Sequence, residues 1–406
     1  MNGTIRELSK NKYDDIIDIL NAVNSEKEHK LNQTVVPAWS YLKVNNFNLE
    51  KFTLPTIEAF NKQYLSFQDG TLDNALVLET KEALEVVKDI NEFINLKESF
   101  GVSDKFVALG EYNFNSGVFL RTCENHVVAS PIRLDFVMDR ENPTVIDHNI
   151  IIAEKGSKVT VVMDYSINDS DTEANRDALE ENKPFHNGVT KVFARENSEV
   201  TIVKIQRMND KSTHFDSNVA FVERDGKVNW VTVDIGSEIN VTNYVTNLKG
   251  DNSSSELHSA YLVDGTRKQD IYYTVNHRGR RSESNMEIKG VLKDKAKKLF
   301  KGNIDFKKGA SKAKGAQDED VLLLDPTVKT DSVPMLLCEE DDVEGSHAAS
   351  VGQMDENKLF YLMSRGFSEK EAKKLVVEAK FSPIFDRVPV QELKEFLLEE
   401  LRKRLV

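Results

Sequence analysis

Only two cysteines, Cys123 and Cys338, occur in 406 residues. That excludes a disulfide framework and a four-cysteine metal site built by the chain alone. No apolar run approaches the roughly 18 residues of a membrane-spanning helix. The phosphate-cradling pattern G-x-x-x-x-G-K-[ST] is missing, so the chain is not expected to hydrolyse ATP itself. Excess positive charge is missing too. Lys+Arg total 54 against 67 for Asp+Glu, a formal net charge of −13, which is the wrong sign for a protein that must neutralise nucleic-acid phosphates. The opening run MNGTIRELSKNKYDDIIDIL has no signal-peptide core and reads as an amphipathic helix, so cytoplasm is the expected location.

What remains is a hydrophobic content of 39% and a charged content of 30%, which suits a soluble folded protein. The length allows two or three domains, or one elongated domain with appendages. Residues 1 to about 95 carry helix-like apolar spacing, at Ile5, Leu8, Ile16, Ile17, Ile19 and Leu20 and again at Leu84, Val86, Val87, Ile90, Phe93 and Ile94. Between these stripes lies Val36-Pro37-Ala38-Trp39-Ser40-Tyr41-Leu42, read as a Trp packed under a loop.

From about residue 105 the period changes to two. Ile132, Leu134 and Phe136 alternate with Arg133 and Asp135. Three similar units follow at 151–162, 192–203 and 220–231, each a strand, a charged turn containing Gly or Asn, and another strand. The apolar anchors Val228, Val241, Leu257, Ile271, Met286 and Leu299 are 13 to 16 residues apart. Val159 and Val200 lie 41 apart, about three such steps, or fewer with an insertion. Such a quasi-period marks stacked or meandering β units, in which neighbours bury what one unit cannot. Spacing alone leaves a β-solenoid and a β-sandwich both open. A polar break over Asn168–Asn187 reads as a surface excursion of one unit.

The stretch Pro334–Gly366 passes from an apolar strand-like run through the acidic turn Glu339-Glu340-Asp341-Asp342 and a small-residue segment into a helix. Asp355 is its expected cap and Gly366 its stop. His347, alone at this β-to-α join, is the leading functional candidate, because a neutral imidazole can ligate iron or stand in for a thiolate on a cluster. Cys338 is a weaker second candidate, since Leu336-Leu337-Cys338 suits a buried, inert thiol. Asp341 and Asp342 invite an acid–base reading, but no convergent acids accompany them and an acidic surface turn is simpler. Arg278 to Arg281 and the lysines from Lys293 to Lys314 form a basic zone that reads as a solvated face. After Gly366, Ser368 and Glu371 make a capping box, Ser382-Pro383 ends that helix, and Val390, Leu393, Leu397 and Leu401 line a final one.

The run DDV-x-x-x-H-x-A-x-x-G-x-x-D-x-x-x-LFYL-x-SRG, from Asp341 to Gly366, resembles the C-terminal signature of the SufB/SufD family, scaffold subunits of the Suf iron–sulfur cluster assembly machinery. Further similar positions include His277, Ser282, Ser284, Gly290, Gly302, Ala316 and Gln317, so the likeness covers most of residues 110–366. It implies a mainly β fold: a right-handed parallel β-helix core over 101–345, a mostly helical region over 1–100 and a helical domain over 346–406. It implies a non-catalytic scaffold that pairs with a SufB paralogue and docks SufC, an ABC-type ATPase, on its C-terminal helices. Strands around Val321 to Leu337 are then expected to expose the pairing edge.

By the same resemblance, His347 matches a histidine implicated in cluster assembly at the SufB–SufD interface. Phe360, Tyr361, Arg365, Gly366 and Phe385 are expected to meet partners. An iron–sulfur cluster is expected transiently in the complex, with none tightly bound by the isolated chain. Ala348 stands where SufB proteins usually carry a glutamate, which favours the SufD side and puts most nucleation chemistry on the partner. Gly345 stands where some SufD proteins carry a cysteine, which counts against cluster binding by this chain unaided. The rivals are a SufB-like cluster carrier and a carbohydrate-active β-helix enzyme. Homodimerisation in the partner's absence is left open.

Overall fold

The structure, a computed structural model, describes residues 28–34, 46–48, 65–67, 74–94, 98–139, 142–168 and 183–405, with residues 21, 25 and 96 besides. Its fold grows out of one repeated turn. At the bend between successive strands a residue takes the left-handed conformation, and Gly, Asn or Asp usually holds that place: Gly156 (φ 67), Asn197 (φ 56), Asp225 (φ 56), Asn252 (φ 57) and Asp294 (φ 61). In several bends a serine comes next and donates its hydroxyl to the carbonyl three residues back. Ser157 does so to Glu154 at 2.6 Å, Ser198 to Arg195 at 2.8 Å and Ser253 to Gly250 at 2.7 Å. Each bend thus satisfies its own polar groups, and the chain leaves it as a new strand.

The strands run, in order, β1 (Glu28–Lys30), β2 (Asn46–Asn48), β3 (Leu65–Phe67), β4 (Ala75–Glu79), β5 (Val118–Thr122), β6 (Ile132–Met138), β7 (Thr144–Ala153), β8 (Lys158–Ile167), β9 (Phe185–Ala194), β10 (Glu199–Gln206), β11 (Thr213–Val222), β12 (Lys227–Asp234), β13 (Ile239–Leu248), β14 (Ser254–Val263), β15 (Lys268–His277), β16 (Glu283–Leu292), β17 (Lys297–Phe306), β18 (Ala313–Leu323), β19 (Lys329–Cys338) and β20 (Val343–Gln353). From β6 on they alternate between two sheets. One is ordered β20-β18-β16-β14-β12-β10-β8-β6-β3 and the other β19-β17-β15-β13-β11-β9-β7-β5-β4. The coils are parallel, a β-solenoid of about eight turns, which excludes the sandwich.

A full coil is twice the step read from the sequence. Lys227 pairs with Ser254, 27 residues on, and Ser254 with Glu283, 29 residues on. The anchors Val228, Leu257 and Met286 sit in one sheet, and Val241, Ile271 and Leu299 in the other. Val159 pairs directly with Val200, so their 41-residue separation is a single coil with an insertion. The break ends sooner than expected, because β9 begins at Phe185; residues 169–182 lie outside the described residues.

The strands are buried on both faces, which is why segments such as Val159–Met163 and Trp230–Val233 read as near-continuous apolar runs. The inward face fills the lumen, where Trp230 is fully buried and donates Nε1–H to Thr246 Oγ1 at 3.0 Å. The outer face of the β9–β11 sheet packs against α1 (Thr80–Val86), α2 (Asn91–Ile94) and α3 (Asp104–Tyr112), through residues such as Ala83, Phe93, Phe106 and Leu109. The other sheet's outer face, at Val203, Val231, Val233 and Leu262, is covered by the C-terminal helices. These are α4 (Glu356–Ser364), α5 (Glu369–Phe385) and α6 (Gln391–Arg404), of which α5 and α6 supply the buried residues.

Several local expectations change. The N-terminal region carries helices but also β1 to β4 among its described residues, so "mostly helical" does not hold for them. The Trp39 segment and residues 1–20 lie outside the described residues. Strand gives way to helix after Gln353, later than the 345/346 division, because β18 offers Ala313 to Leu323 as a template for every residue of β20. The Ser368/Glu371 capping box forms, yet α5 runs past Pro383 to Phe385, since a proline in the last turn forfeits only one hydrogen bond of the helix.

Candidate functional site at the open end of the solenoid

The two ends of the stack differ. At the N-terminal end β3 and β4 lie antiparallel on β6 and β5 and close both sheets. At the C-terminal end β19 and β20 are the last strands of their sheets. Nearly every residue of β20 is exposed, and β19 is half-buried along almost its whole length. The open sheet edges at this end therefore lie on β19 and β20. Val321 to Leu323, expected at the edge, belong to β18 and are covered by β20.

His347 sits in the middle of β20 and not at a strand–helix join. Register stacks it on Gln317, and beneath Gln317 lie Met286, Leu257, Trp230 and Ile202, all lumen residues. His347 therefore continues an inward-facing column and is exposed because no further coil covers it. Cys338 ends the corresponding column of the other sheet, above Phe306, His277 and Leu248. It is exposed, against the expectation of a buried thiol, for the same reason. Gly345 lies between them in sequence and faces Leu336 and Phe306 across the lumen; a Cβ there would come within 2.9 Å of Leu336. Both candidate ligands thus border one mouth.

One coil below, the lumen turns polar. Lys298 Nζ donates to Glu319 Oε1 at 2.6 Å and to Ser332 Oγ at 3.1 Å, and Tyr261 donates its hydroxyl to the same Glu319 oxygen at 3.0 Å. Lys298 and Glu319 are both fully buried. Burial pulls the Lys298 ammonium below its ordinary value, and the Glu319 carboxylate opposes that shift. Gln317, 3% exposed, has neither carboxamide atom hydrogen-bonded within the described residues, and Glu319 Oε2 is likewise without a partner. Sequence reading passed over this polar floor. Its signal is the alternation in Ala313–Val321, where polar Gln317 and Glu319 fall on the buried parity.

Beside the mouth, α4 is capped by Asp355, which accepts from the Asn357 amide at 2.9 Å, and ends before Gly366 (φ 99). It buries none of its residues. Phe360 is 73% exposed and Tyr361 58%, with Met363 and Phe367 also exposed. The Arg365 guanidinium lies over the Tyr361 ring at 5.2 Å. Phe385, grouped with them from the sequence, is 1% exposed and packed among the helix–solenoid contacts; its side chain serves the chain's own core.

The other candidates have structural occupations. Asp342 accepts from Ser311 Oγ at 2.7 Å and Glu340 from the Gly309 amide at 2.9 Å, so the acidic turn staples itself to the turn below. In the basic zone Arg278 meets Glu98, Lys301 meets Asp270, Lys307 meets Asp305 and Lys314 meets Glu344. Among the described residues no three His, Cys, Asp or Glu side chains converge to hold a metal ion. A cluster at the mouth would need ligands from another chain besides His347 and Cys338. No helix among those residues is long and apolar enough to cross a membrane.

Comparison with known proteins gives the family. The family model described as SUF system FeS cluster assembly, SufBD core domain, matches residues 136–380. The chain belongs to the SufB/SufD family. An iron–sulfur cluster assembly protein SufD of Bacillus subtilis is 30% identical over 319 residues, 78% of this chain and 71% of that protein. A SufBD family protein of Mycobacterium leprae is 26% identical over 71% of this chain, which spans 32% of that relative. One of Staphylococcus epidermidis is 24% identical over 71% of this chain and 60% of its own length. The likeness to SufD agrees with Ala348 beside His347, and it places this SufB/SufD family member in iron–sulfur cluster assembly.

Proposed function

We propose that the chain is a non-catalytic scaffold subunit. It pairs through its open end with a SufB-type paralogue, and at that seam His347 assists assembly of an iron–sulfur cluster, the complex's product. The observation that carries this reading is the asymmetry of the ends. One is closed by antiparallel strands; the other offers two parallel edge strands of 10 and 11 residues, with unpaired backbone groups and an inward histidine. Edge strands of that length are normally blunted or covered, and strand addition by a similar coil would cover them.

The same reading docks a SufC-type ATPase on the C-terminal helices, where α4 presents Phe360 and Tyr361 and buries nothing of its own. An apolar helix face left in water is an ordinary mark of a partner site. The protein supplies geometry and one imidazole, and the remaining ligands come from the paralogue.

The test is co-purification with both subunits. Val351 continues the inward column above buried Val321 and is 42% exposed. Val351→Asp is expected to reduce recovery of the paralogue at least tenfold while leaving the chain folded. His347→Ala is expected to leave the complex intact and lower its cluster content, read by visible absorbance after anaerobic reconstitution. Unchanged recovery with Val351→Asp, or full cluster yield with His347→Ala, would refute the pairing or the histidine's role respectively. A strong colour in the isolated chain would favour the cluster-carrier reading.

A further inference from the structure

Gln317 is an odd residue to find where it is. Its column is apolar below it, so Met286 offers its carboxamide nothing. On the same strand its inward neighbours are Gly315, without a side chain, and Glu319, whose Oε1 is held by Lys298 and Tyr261. Across the lumen stands Gly302, and a Cβ built there would lie 2.2 Å from Gln317 Oε1, so the glycine makes the room the amide occupies. Neither Oε1 nor Nε2 is hydrogen-bonded within the described residues, although the residue is 3% exposed. A buried amide left without partners is costly, and a Met or Leu would fill the place without that penalty. On the mouth side His347 is stacked directly on Gln317 in register and on the same face, and it is the hydrogen-bonding side chain next above the amide in that column.

We propose that Gln317 is the positioning residue for His347: the two are not hydrogen-bonded in the conformation described, and rotation of the exposed His347 side chain brings one ring nitrogen onto the carboxamide and leaves the other directed out of the mouth. This deepens the reading above and rests on it. The chemistry matches, because a neutral imidazole has one N–H donor and one acceptor nitrogen, and a carboxamide offers both an acceptor and a donor. A hydrogen bond to one nitrogen fixes the tautomer and ring orientation of a histidine that must present the other to an iron atom or a proton. Gly302 belongs to the device, since any larger residue would displace the amide.

The experiment compares wild type with Gln317→Met and Gln317→Glu. Gln317→Met continues the Met286 column and should fold at least as stably; Gln317→Glu keeps an acceptor. The first readout is the ring ¹⁵N shifts of His347 in the purified chain, assigned by the signal missing in His347→Ala. Wild type and Gln317→Glu are expected to show one dominant tautomer, and Gln317→Met the mixture of a free imidazole. The second readout is the cluster assembly rate in the reconstituted complex, expected to fall about tenfold in Gln317→Met and to recover in Gln317→Glu. Identical His347 ring shifts in wild type and Gln317→Met would overturn the proposal whatever the rates do. Shifts that change while His347→Ala still assembles clusters normally would leave the positioning intact and refute the cluster role.

Discussion

His277 carries a histidine's chemistry without a ligand's role. It is buried one coil below Phe306, with Nδ1 at 2.8 Å from Ser282 Oγ and Nε2 at 2.8 Å from Ser284 Oγ. Ser282 donates its own proton to Gly279 O, so the ring donates Nδ1–H to Ser282 and accepts at Nε2 from Ser284. Burial pushes its pKa down to about 4. The folded state therefore prefers the neutral ring. That contribution is complete above the unfolded value near 6.5 and disappears as pH falls through 6.5 towards 4. It amounts to about 3 kcal/mol. Urea unfolding at pH 7 and pH 4 should show wild type losing roughly that much more stability than His277→Gln; equal losses would mean that the ring does not titrate as its surroundings require. The sequence singled out His347 by its chemistry and His277 only as a position of family resemblance. Their difference lies in the coil above, which covers one ring and not the other, and no local pattern marks where a stack stops. For the same reason Cys338 read as buried: its apolar neighbours Leu336 and Leu337 speak of a lumen, but the lumen ends there.

Among the elements, the bends were half legible. The Gly, Asn or Asp that turns left-handed stood out as a charged turn, whereas the serine that follows at positions 157, 198 and 253 was readable at the same spacing and went unread. The C-terminal helices divide the labour their sequence left combined. α5 and α6 bury Phe381, Ile384, Leu397 and Leu401 against the outer face of the solenoid, and α4 buries nothing. Removing residues 355–406 would strip that face, so point substitutions give the cleaner test. Phe381→Ala is expected to cost about 3–5 kcal/mol by chemical denaturation. Phe360→Ser paired with Tyr361→Ser should leave stability nearly unchanged while weakening ATPase recovery. A large stability loss from the second pair would place α4 in the core and not at a docking site.

For the molecule as a whole, each coil is held by its two neighbours, and the terminal one has only one. Backbone amide exchange should accordingly be slowest in β11 to β14 and fastest in β19 and β20, and adding the paralogue should slow the latter selectively. Uniform protection along the stack would argue against an end that waits for a partner. The stacking itself was read from periodicity, and the parallel arrangement from resemblance, because equal strand spacing serves sandwiches and solenoids alike. The coil between β8 and β9 takes in an insertion, yet Thr144 still pairs with Phe185 and Lys158 with Glu199. Length along the chain and length along the axis are thus decoupled. Each coil advances the stack by about 4.8 Å, whatever its loop contains. The molecule is in this respect a ruler whose graduations are hydrogen-bonded: loops can be lengthened or exchanged at its sides without moving the mouth, while adding or removing one whole coil would shift everything beyond it by a single fixed notch.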